Sequence, residues 1–189
     1  VQDMVKRSGH AASGFYLYEH DKLADRLREL EASGQKTLLI GVTFGLLDFA
    51  EHHSLQLKNT VVMETGGMKG RREEWTRQQV HAYLREKLGC EHIHAEYGMT
   101  ELLSQAYSPG DGLFTTPPWM KVLVRDENDP FQLSAAHASG VINVVDLANV
   151  YSCAFIATED IGRLHEEGRF EVLGRLDNSA LRGCSLMVS

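Results

Sequence analysis

The chain has 189 residues, of which 43% are hydrophobic and 24% charged, as is typical of a globular protein with one well-filled core or two small ones. Its formal net charge of −7 argues against binding along a nucleic-acid backbone, although a single nucleotide held by backbone amides is compatible with it. No apolar run exceeds the length of a buried strand and no signal-peptide pattern opens the chain, so we expect neither a membrane span nor secretion.

The first half of the chain is predicted to alternate helices with strands. Helical signals, namely N-caps, leucine stripes and closing glycines, lie at 21–34, 45–52 and 73–88. Apolar runs of strand length lie at 37–42, 60–63 and 92–97. Strands and helices joined by short links favour a parallel sheet with helices on its faces.

The second half of the chain is predicted to be rich in β-structure. After a cluster of turn residues at 108–112, strands are predicted at 121–125, 141–146, 153–157 and 169–173. Turn signals separate them, including one at Gly162. We therefore predict an α/β protein, with a parallel-sheet α/β half at residues 1–110 and a β-rich half at residues 111–189.

Cysteine usage indicates where the protein works. Cys90, Cys153 and Cys184 are far apart and form no C-x-x-C pair, so we expect a reducing, cytoplasmic location rather than a disulfide framework. Because the chain begins with Val1 rather than Met, we also expect it to be part of a longer protein.

Two turns that contain glycine follow successive predicted strands. The first is 64–70, where Gly66 and Gly67 would let the backbone approach a flat ring or an anion closely. Ligands of open α/β sheets bind beyond the carboxyl ends of the strands, where this turn lies. It matches neither the Rossmann nor the Walker pattern, so by itself it is better explained as a structural turn.

The second turn, 96–101, combines residue types that complement one another. Tyr97 offers an aromatic face, Thr100 a hydroxyl group and Glu101 a hard oxygen ligand for Mg²⁺. An ordinary turn capped by Thr100 is the structural alternative. Two such turns on neighbouring strands are harder to explain in that way, and together they indicate a ligand site.

At this point a resemblance to a known superfamily becomes visible. Residues 97–101 resemble the Y-G-x-T-E motif of the adenylate-forming superfamily, which includes acyl-CoA synthetases and luciferases. Residues 156–162 resemble its T-G-D segment, and 174–177 its G-R-x-D hinge. The sequences at 64–71 and 182–186 narrow the resemblance to the C-terminal portion of the LuxE-type acyl-protein synthetases.

The resemblance implies a fold and a reaction. The fold would be that of the large domain of adenylate-forming enzymes. The reaction would be the ATP-dependent activation of a fatty or other carboxylic acid to an acyl-adenylate, with transfer of the acyl group to a thiol. It would use ATP/AMP and Mg²⁺, and a reductase-like protein would accept the acyl group.

The resemblance also assigns roles to residues at the nucleoside. Gly66 and Gly67 would lie against the adenine and Tyr97 would stack on it. Asp160 would accept hydrogen bonds from the ribose hydroxyls, and Arg175 would reach the ribose or a phosphate.

Further implied roles concern the phosphates, the hinge and the acyl group. Thr100 would bond the α-phosphate as a catalytic group, Glu101 would hold Mg²⁺, and Asp177 would lie at the hinge. Cys184 would carry the acyl group, since a thiolate is the best nucleophile among side chains. The residues implied in nucleotide binding are Gly66, Gly67, Tyr97, Gly98, Met99, Thr100, Asp160 and Arg175.

Three departures from the superfamily pattern keep alternatives open. The phosphate loop and the mobile C-terminal domain with its lysine are absent from these residues, and Glu159 replaces the glycine of T-G-D. We therefore expect the isolated chain to be inactive. The alternatives are an acyl-CoA ligase of the phenylacetate-CoA ligase type and a non-catalytic nucleotide-binding module.

Overall fold

A computed structural model describes residues 1–66, 75–134 and 137–176 of the chain. The helices in this part are α1 (Gln2–Ser8), α2 (His20–Ala32), α3 (Thr43–His52) and α4 (Arg77–Leu88). The strands are β1 (Thr37–Gly41), β2 (Thr60–Glu64), β3 (Ile93–Tyr97), β4 (Ala106–Ser108), β5 (Leu113–Phe114), β6 (Met120–Arg125), β7 (Ser139–Asp146), β8 (Phe155–Leu164) and β9 (Phe170–Arg175). No helix among these residues combines the length and apolarity that a membrane crossing requires.

The first sheet has the strand order β1-β2-β3-β4, with β1 to β3 parallel and β4 antiparallel to β3. Helices α2, α3 and α4 bury one face of it. The buried side chains of that core include Leu27, Phe49, Val62, Leu84 and Ile93. Parallel strands end at one edge of a sheet, so the chain segments that follow β2 and β3 emerge side by side.

The second sheet is antiparallel, in the order β5-β9-β8-β7-β6. Its core also includes residues of the first sheet, because Tyr97 at the end of β3 packs against Phe114 of β5 and Phe170 of β9. An antiparallel bridge between Tyr107 and Thr115 also links the two sheets. The parallel sheet with its helices, followed by antiparallel strands, agrees with the predicted α/β class.

The prediction of a turn at Gly162 is wrong. Strand β8 runs from Phe155 to Leu164 without interruption, with a register shift between Ile161 and Gly162 where it pairs with β9. Glycine is required there by close packing, because a Cβ at Gly162 would lie 2.5 Å from the Ile142 side chain. The same strand begins later than predicted, and Cys153 is an exposed residue before it rather than part of an apolar strand.

Helix α4 starts later than the predicted residue 73. Thr76 is its N-cap: the Thr76 hydroxyl accepts the Gln79 amide, and the Gln79 side chain accepts the Thr76 amide, which completes a capping box. The helix ends at Gly89 in the left-handed conformation, as predicted. Trp75 precedes the helix and packs edge-on against Tyr83.

Candidate functional site

The candidate site lies where β2 and β3 end. In the parallel register Glu64, the last residue of β2, pairs with Ala95 of β3, so the turn at Gly66 and the end of β3 at Tyr97 share one edge of the sheet. Gly66 has φ 76°, a conformation that favours glycine. Its partner in the predicted motif, Gly67, lies outside the described residues.

Tyr97 is the best-buried of the predicted site residues that the structure describes, with 8% of its surface exposed. Its ring packs edge-on against Phe114 and Phe170, and its hydroxyl donates a 2.8 Å hydrogen bond to the Asp160 carboxylate. Burial and the neighbouring Asp160 charge raise the pKa of Tyr97, so the hydroxyl stays a donor at physiological pH. In this structure the tyrosine orients Asp160.

Asp160 lies inside β8, not between two strands as the sequence suggested. It is directly opposite Arg175 of β9, whose Nε lies 3.3 Å from the second Asp160 oxygen. Burial raises the pKa of Asp160, while the Tyr97 hydrogen bond and the Arg175 charge act in the opposite direction. Arg175 also contacts the exposed carboxylate of Glu159 at 3.4 Å. The structure thus brings together three of the predicted residues, Tyr97, Asp160 and Arg175.

The remaining residues of the second motif form a turn that leads into β4 rather than into a helix. The side chains of Thr100 and Glu101 are exposed, as is Gly98, while Met99 is half-buried and packs against the core of the second sheet. The predicted phosphate-side groups, Thr100 and Glu101, therefore face solvent.

Asp146 anchors this exposed turn, and the sequence analysis missed it. Its buried carboxylate accepts the backbone amides of Leu103 and Ser104 at 2.9 Å and the Ser104 hydroxyl at 2.7 Å. The Asn149 side chain, close by, donates to the Glu101 carbonyl at 2.7 Å. Asp146 does end a predicted strand, but no local pattern connects it with residues more than forty positions earlier.

A second buried carboxylate, Glu64, holds the Gly66 turn. It accepts the Gly66 amide at 2.7 Å and the Thr43 hydroxyl at 2.8 Å. Arg77 and His81 of α4 face its other oxygen at 3.8 and 3.6 Å. Burial raises the pKa of Glu64, but His81, the Arg77 charge and the two hydrogen bonds together hold it below the ordinary value. The sequence placed Glu64 in the motif without giving it a role.

The Asp160 carboxylate keeps acceptor capacity for a ligand. A carboxylate has about four acceptor positions, and Asp160 accepts a hydrogen bond from Tyr97 and forms an ion pair with Arg175, so further positions are available to hydroxyl donors. Among the described residues no three His, Cys, Asp or Glu side chains are arranged to hold a metal. A Mg²⁺ ion at Glu101 would therefore share its coordination with a phosphorylated ligand, as is usual for Mg²⁺. Asp177 and Cys184 lie outside the described residues.

No protein-family profile and no curated protein matches the chain. Solved structures of other proteins do match it. Apo MatB from Rhodopseudomonas palustris superposes with a TM-score of 0.58 at 20% identity, over 84% of this chain and 33% of MatB. MatB is also among the matches in an ATP-bound form, with a TM-score of 0.58 and 20% identity over 82% of this chain and 33% of that protein.

Two further matches are a ligase and a synthetase. Coronafacic acid ligase from Pectobacterium brasiliense has a TM-score of 0.55 at 16% identity, covering 83% of this chain and 32% of the ligase. Unliganded O-succinylbenzoate coenzyme A synthetase from Bacillus subtilis has a TM-score of 0.53 at 21% identity, covering 81% of this chain and 36% of the synthetase. The chain spans about a third of the length of each of these proteins. Over most of its length the chain therefore has their fold, which confirms the fold class predicted from the resemblance to adenylate-forming enzymes.

Proposed function

We propose that this chain contributes the nucleotide-binding part of an adenylate-forming enzyme that activates a carboxylic acid with ATP. The observation that carries the proposal is the assembly of Tyr97, Asp160 and Arg175 from three different strands, at the sheet edge where the Gly66 turn also lies. These residues come from separate sequence motifs that the superfamily uses for one nucleotide.

The buried side of the site would bind the nucleoside. Asp160 would accept the ribose hydroxyls with its remaining acceptor positions, and Tyr97 would fix the direction of that carboxylate. The backbone at Gly66 would lie against the base. Because the Tyr97 ring is enclosed by Phe114 and Phe170, its role in the described state is to orient Asp160 more than to offer an open stacking face.

The exposed side of the site would bind the phosphates. The Thr100 hydroxyl would donate to the α-phosphate, and Glu101 would hold Mg²⁺. When bound, the metal neutralises phosphate charge. Both side chains are exposed and so are available to a ligand that brings its own charge.

The reaction would proceed in two steps. A carboxylate oxygen of the acid attacks the α-phosphorus of ATP, the bond to the bridging oxygen breaks, and pyrophosphate leaves with the electron pair. A thiolate then attacks the acyl carbon, and AMP leaves. Hydrogen bonds from Thr100 and from backbone amides would stabilise the charge that develops on the phosphorus oxygens.

The thiol that accepts the acyl group distinguishes two forms of the proposal. The LuxE-type resemblance favours a protein thiol, with Cys184 as the first acyl carrier and a fatty acid as substrate. The similarity to a coenzyme A synthetase favours the thiol of coenzyme A instead. We propose the acyl-protein synthetase, because the segments 64–71 and 182–186 resemble those of that family.

Pyrophosphate release by the full-length protein tests the activation step. We expect release that requires ATP, Mg²⁺ and a carboxylic acid, and that falls strongly in Asp160→Ala. The variant Glu127→Ala, which changes an exposed turn carboxylate, is the matched control and should keep wild-type activity. The absence of release with any of a panel of short-chain, long-chain and aryl acids would instead favour a non-catalytic nucleotide-binding module.

Acyl labelling tests the acceptor. Full-length protein incubated with ATP and radiolabelled fatty acid should acquire a hydroxylamine-labile label that Cys184→Ser abolishes while acyl-adenylate still forms. Cys153→Ser, at an exposed cysteine, should label normally. Transfer to coenzyme A without a protein adduct would identify the ligase alternative.

A further inference from the structure

The Gly66 turn is held by a closed ring of hydrogen bonds. Its amide donates to the Glu64 carboxylate at 2.7 Å, and the same carboxylate oxygen accepts the Thr43 hydroxyl at 2.8 Å. The Thr43 amide in turn donates to the Gly66 carbonyl at 3.2 Å. Both polar groups of Gly66 are thus fixed by Thr43 and Glu64, which lie at the start of α3 and the end of β2.

The charge of Glu64 also ties this ring to the second sheet. Arg77 faces the carboxylate at 3.8 Å, donates to the Val172 carbonyl at 3.3 Å and lies 5.1 Å from the centre of the Phe114 ring. Val172 belongs to β9, the strand that ends at Arg175. The turn at Gly66 and the strand that carries Arg175 are therefore connected through one guanidinium group.

Stability alone is a poor explanation for this arrangement. Glu64 is only 2% exposed, and taking a carboxylate out of water costs several kcal/mol, which a nearby cation often does no more than balance. The Arg77 Nε and His81 Nε2 atoms that face it are buried and make no hydrogen bond. An apolar core with a self-contained turn would be at least as stable, so a role in placing the turn accounts better for the buried charge.

We propose that Thr43 and Glu64 are positioning residues that hold the Gly66 peptide in place against the nucleobase. This inference rests on the proposed function, since it requires a nucleotide at the sheet edge. The two residues do not touch the ligand. Thr43 supplies the hydroxyl and amide that close the ring, and Glu64 supplies the acceptor that fixes the Gly66 amide.

The test uses Thr43 because a change there leaves the buried charges in place. In the full-length protein, Thr43→Val removes the hydroxyl and keeps the side-chain shape, whereas Thr43→Ser keeps the hydroxyl. Affinity is measured by calorimetry or competition for AMP, which has a base, and for ribose 5-phosphate, which has none. Thr43→Val should weaken AMP binding by about five- to tenfold, the value of one hydrogen bond, and change ribose 5-phosphate binding by less than about twofold.

Rescue and ligand dependence separate positioning from a general loss of folding. Thr43→Ser should bind AMP like the wild type. Equal weakening for both ligands, or unchanged AMP affinity in Thr43→Val, would overturn the positioning role while leaving the proposed function intact. A wild-type protein that binds neither ligand would overturn both proposals.

Discussion

The two sides of the candidate site are built in different ways. On the nucleoside side, Tyr97 and Asp160 are buried, bonded to each other and surrounded by aromatic rings. On the proposed phosphate side, Thr100 and Glu101 are exposed, and the Asn149 side chain donates to the Glu101 carbonyl. In the proposed site the protein itself would therefore organise the uncharged end of a nucleotide, whereas the groups for its charged end would remain free to meet phosphates and a cation.

The exposed side of the site depends on the buried carboxylate of Asp146. Removing this carboxylate should have the largest effect of the changes predicted below. Asp146→Ala removes the acceptor of three backbone amides and the Ser104 hydroxyl, in a fully buried position. Because buried donors left unsatisfied cost about 1–3 kcal/mol each, we expect the free energy of unfolding to fall by roughly 3–5 kcal/mol in urea titration. Glu127→Ala, at an exposed turn residue, should leave it nearly unchanged. A small decrease in the free energy of unfolding of Asp146→Ala would mean that the turn at 98–104 is held by other contacts.

Removal of the Asp160 carboxylate on the buried side of the site should lower the affinity for AMP. Asp160→Ala should weaken AMP binding by about 1–3 kcal/mol through loss of charge-assisted bonds to the ribose. Titration calorimetry on the full-length protein measures this, and Glu159→Gln, at the exposed neighbouring carboxylate, should change the affinity by less than about twofold. An Asp160→Ala variant with wild-type affinity would place the nucleoside elsewhere.

A substitution on the exposed side of the site should change the adenylation rate rather than the nucleotide affinity. Glu101→Gln keeps one oxygen but loses the charge that a hard cation prefers, so we expect adenylation to slow by about tenfold at limiting Mg²⁺ while nucleotide affinity changes little. Pyrophosphate exchange at varied Mg²⁺ concentration is the measurement, with Glu127→Gln as the control in an exposed loop. Normal exchange in Glu101→Gln would remove this residue from the metal site.

Glu31 gives the smallest expected effect. Its carboxylate accepts hydrogen bonds much as that of Asp146 does, but it lies far along the chain from the motifs of the site. Glu31 of α2 accepts the Lys58 and Asn59 amides and the Thr60 hydroxyl. Burial raises the pKa of Glu31, but these bonds outweigh it and hold the pKa below its ordinary 4.5. Its contribution to stability is therefore complete above that value and lost as the pH falls through the lower folded-state pKa.

The test is the pH dependence of unfolding. Glu31→Gln should be less stable than the wild type near pH 7 by about 1 kcal/mol, and the difference should shrink as the pH falls below 4.5. Its AMP affinity should equal that of the wild type. Glu29→Gln, in an exposed pair with Arg26 on the same helix, should show neither effect. A constant difference at all pH values would show that the Glu31 charge plays no part.

The elements with strong local patterns were predictable. Leucine spacing and a closing glycine located α2, and apolar runs located β2 and β3, because a long periodic pattern reflects burial directly. The short strands β4 and β5 were missed, since two or three residues carry no period. Gly162 was misread as a turn because the sequence cannot distinguish a glycine needed for backbone freedom from one needed for close packing.

The sequence by itself determined which residues were proposed for the candidate site, through short motifs whose residue types share one chemistry. Only the tertiary structure decided their arrangement: Tyr97 bonds Asp160 across 63 residues of chain, and Asp146 reaches Ser104 across 42. The first contact joins strands of different sheets and the second joins a strand to a loop, and no local period records either. The anchoring roles of Asp146 and Glu64 were therefore invisible in the sequence, because these roles depend on partners that folding alone brings within hydrogen-bonding distance.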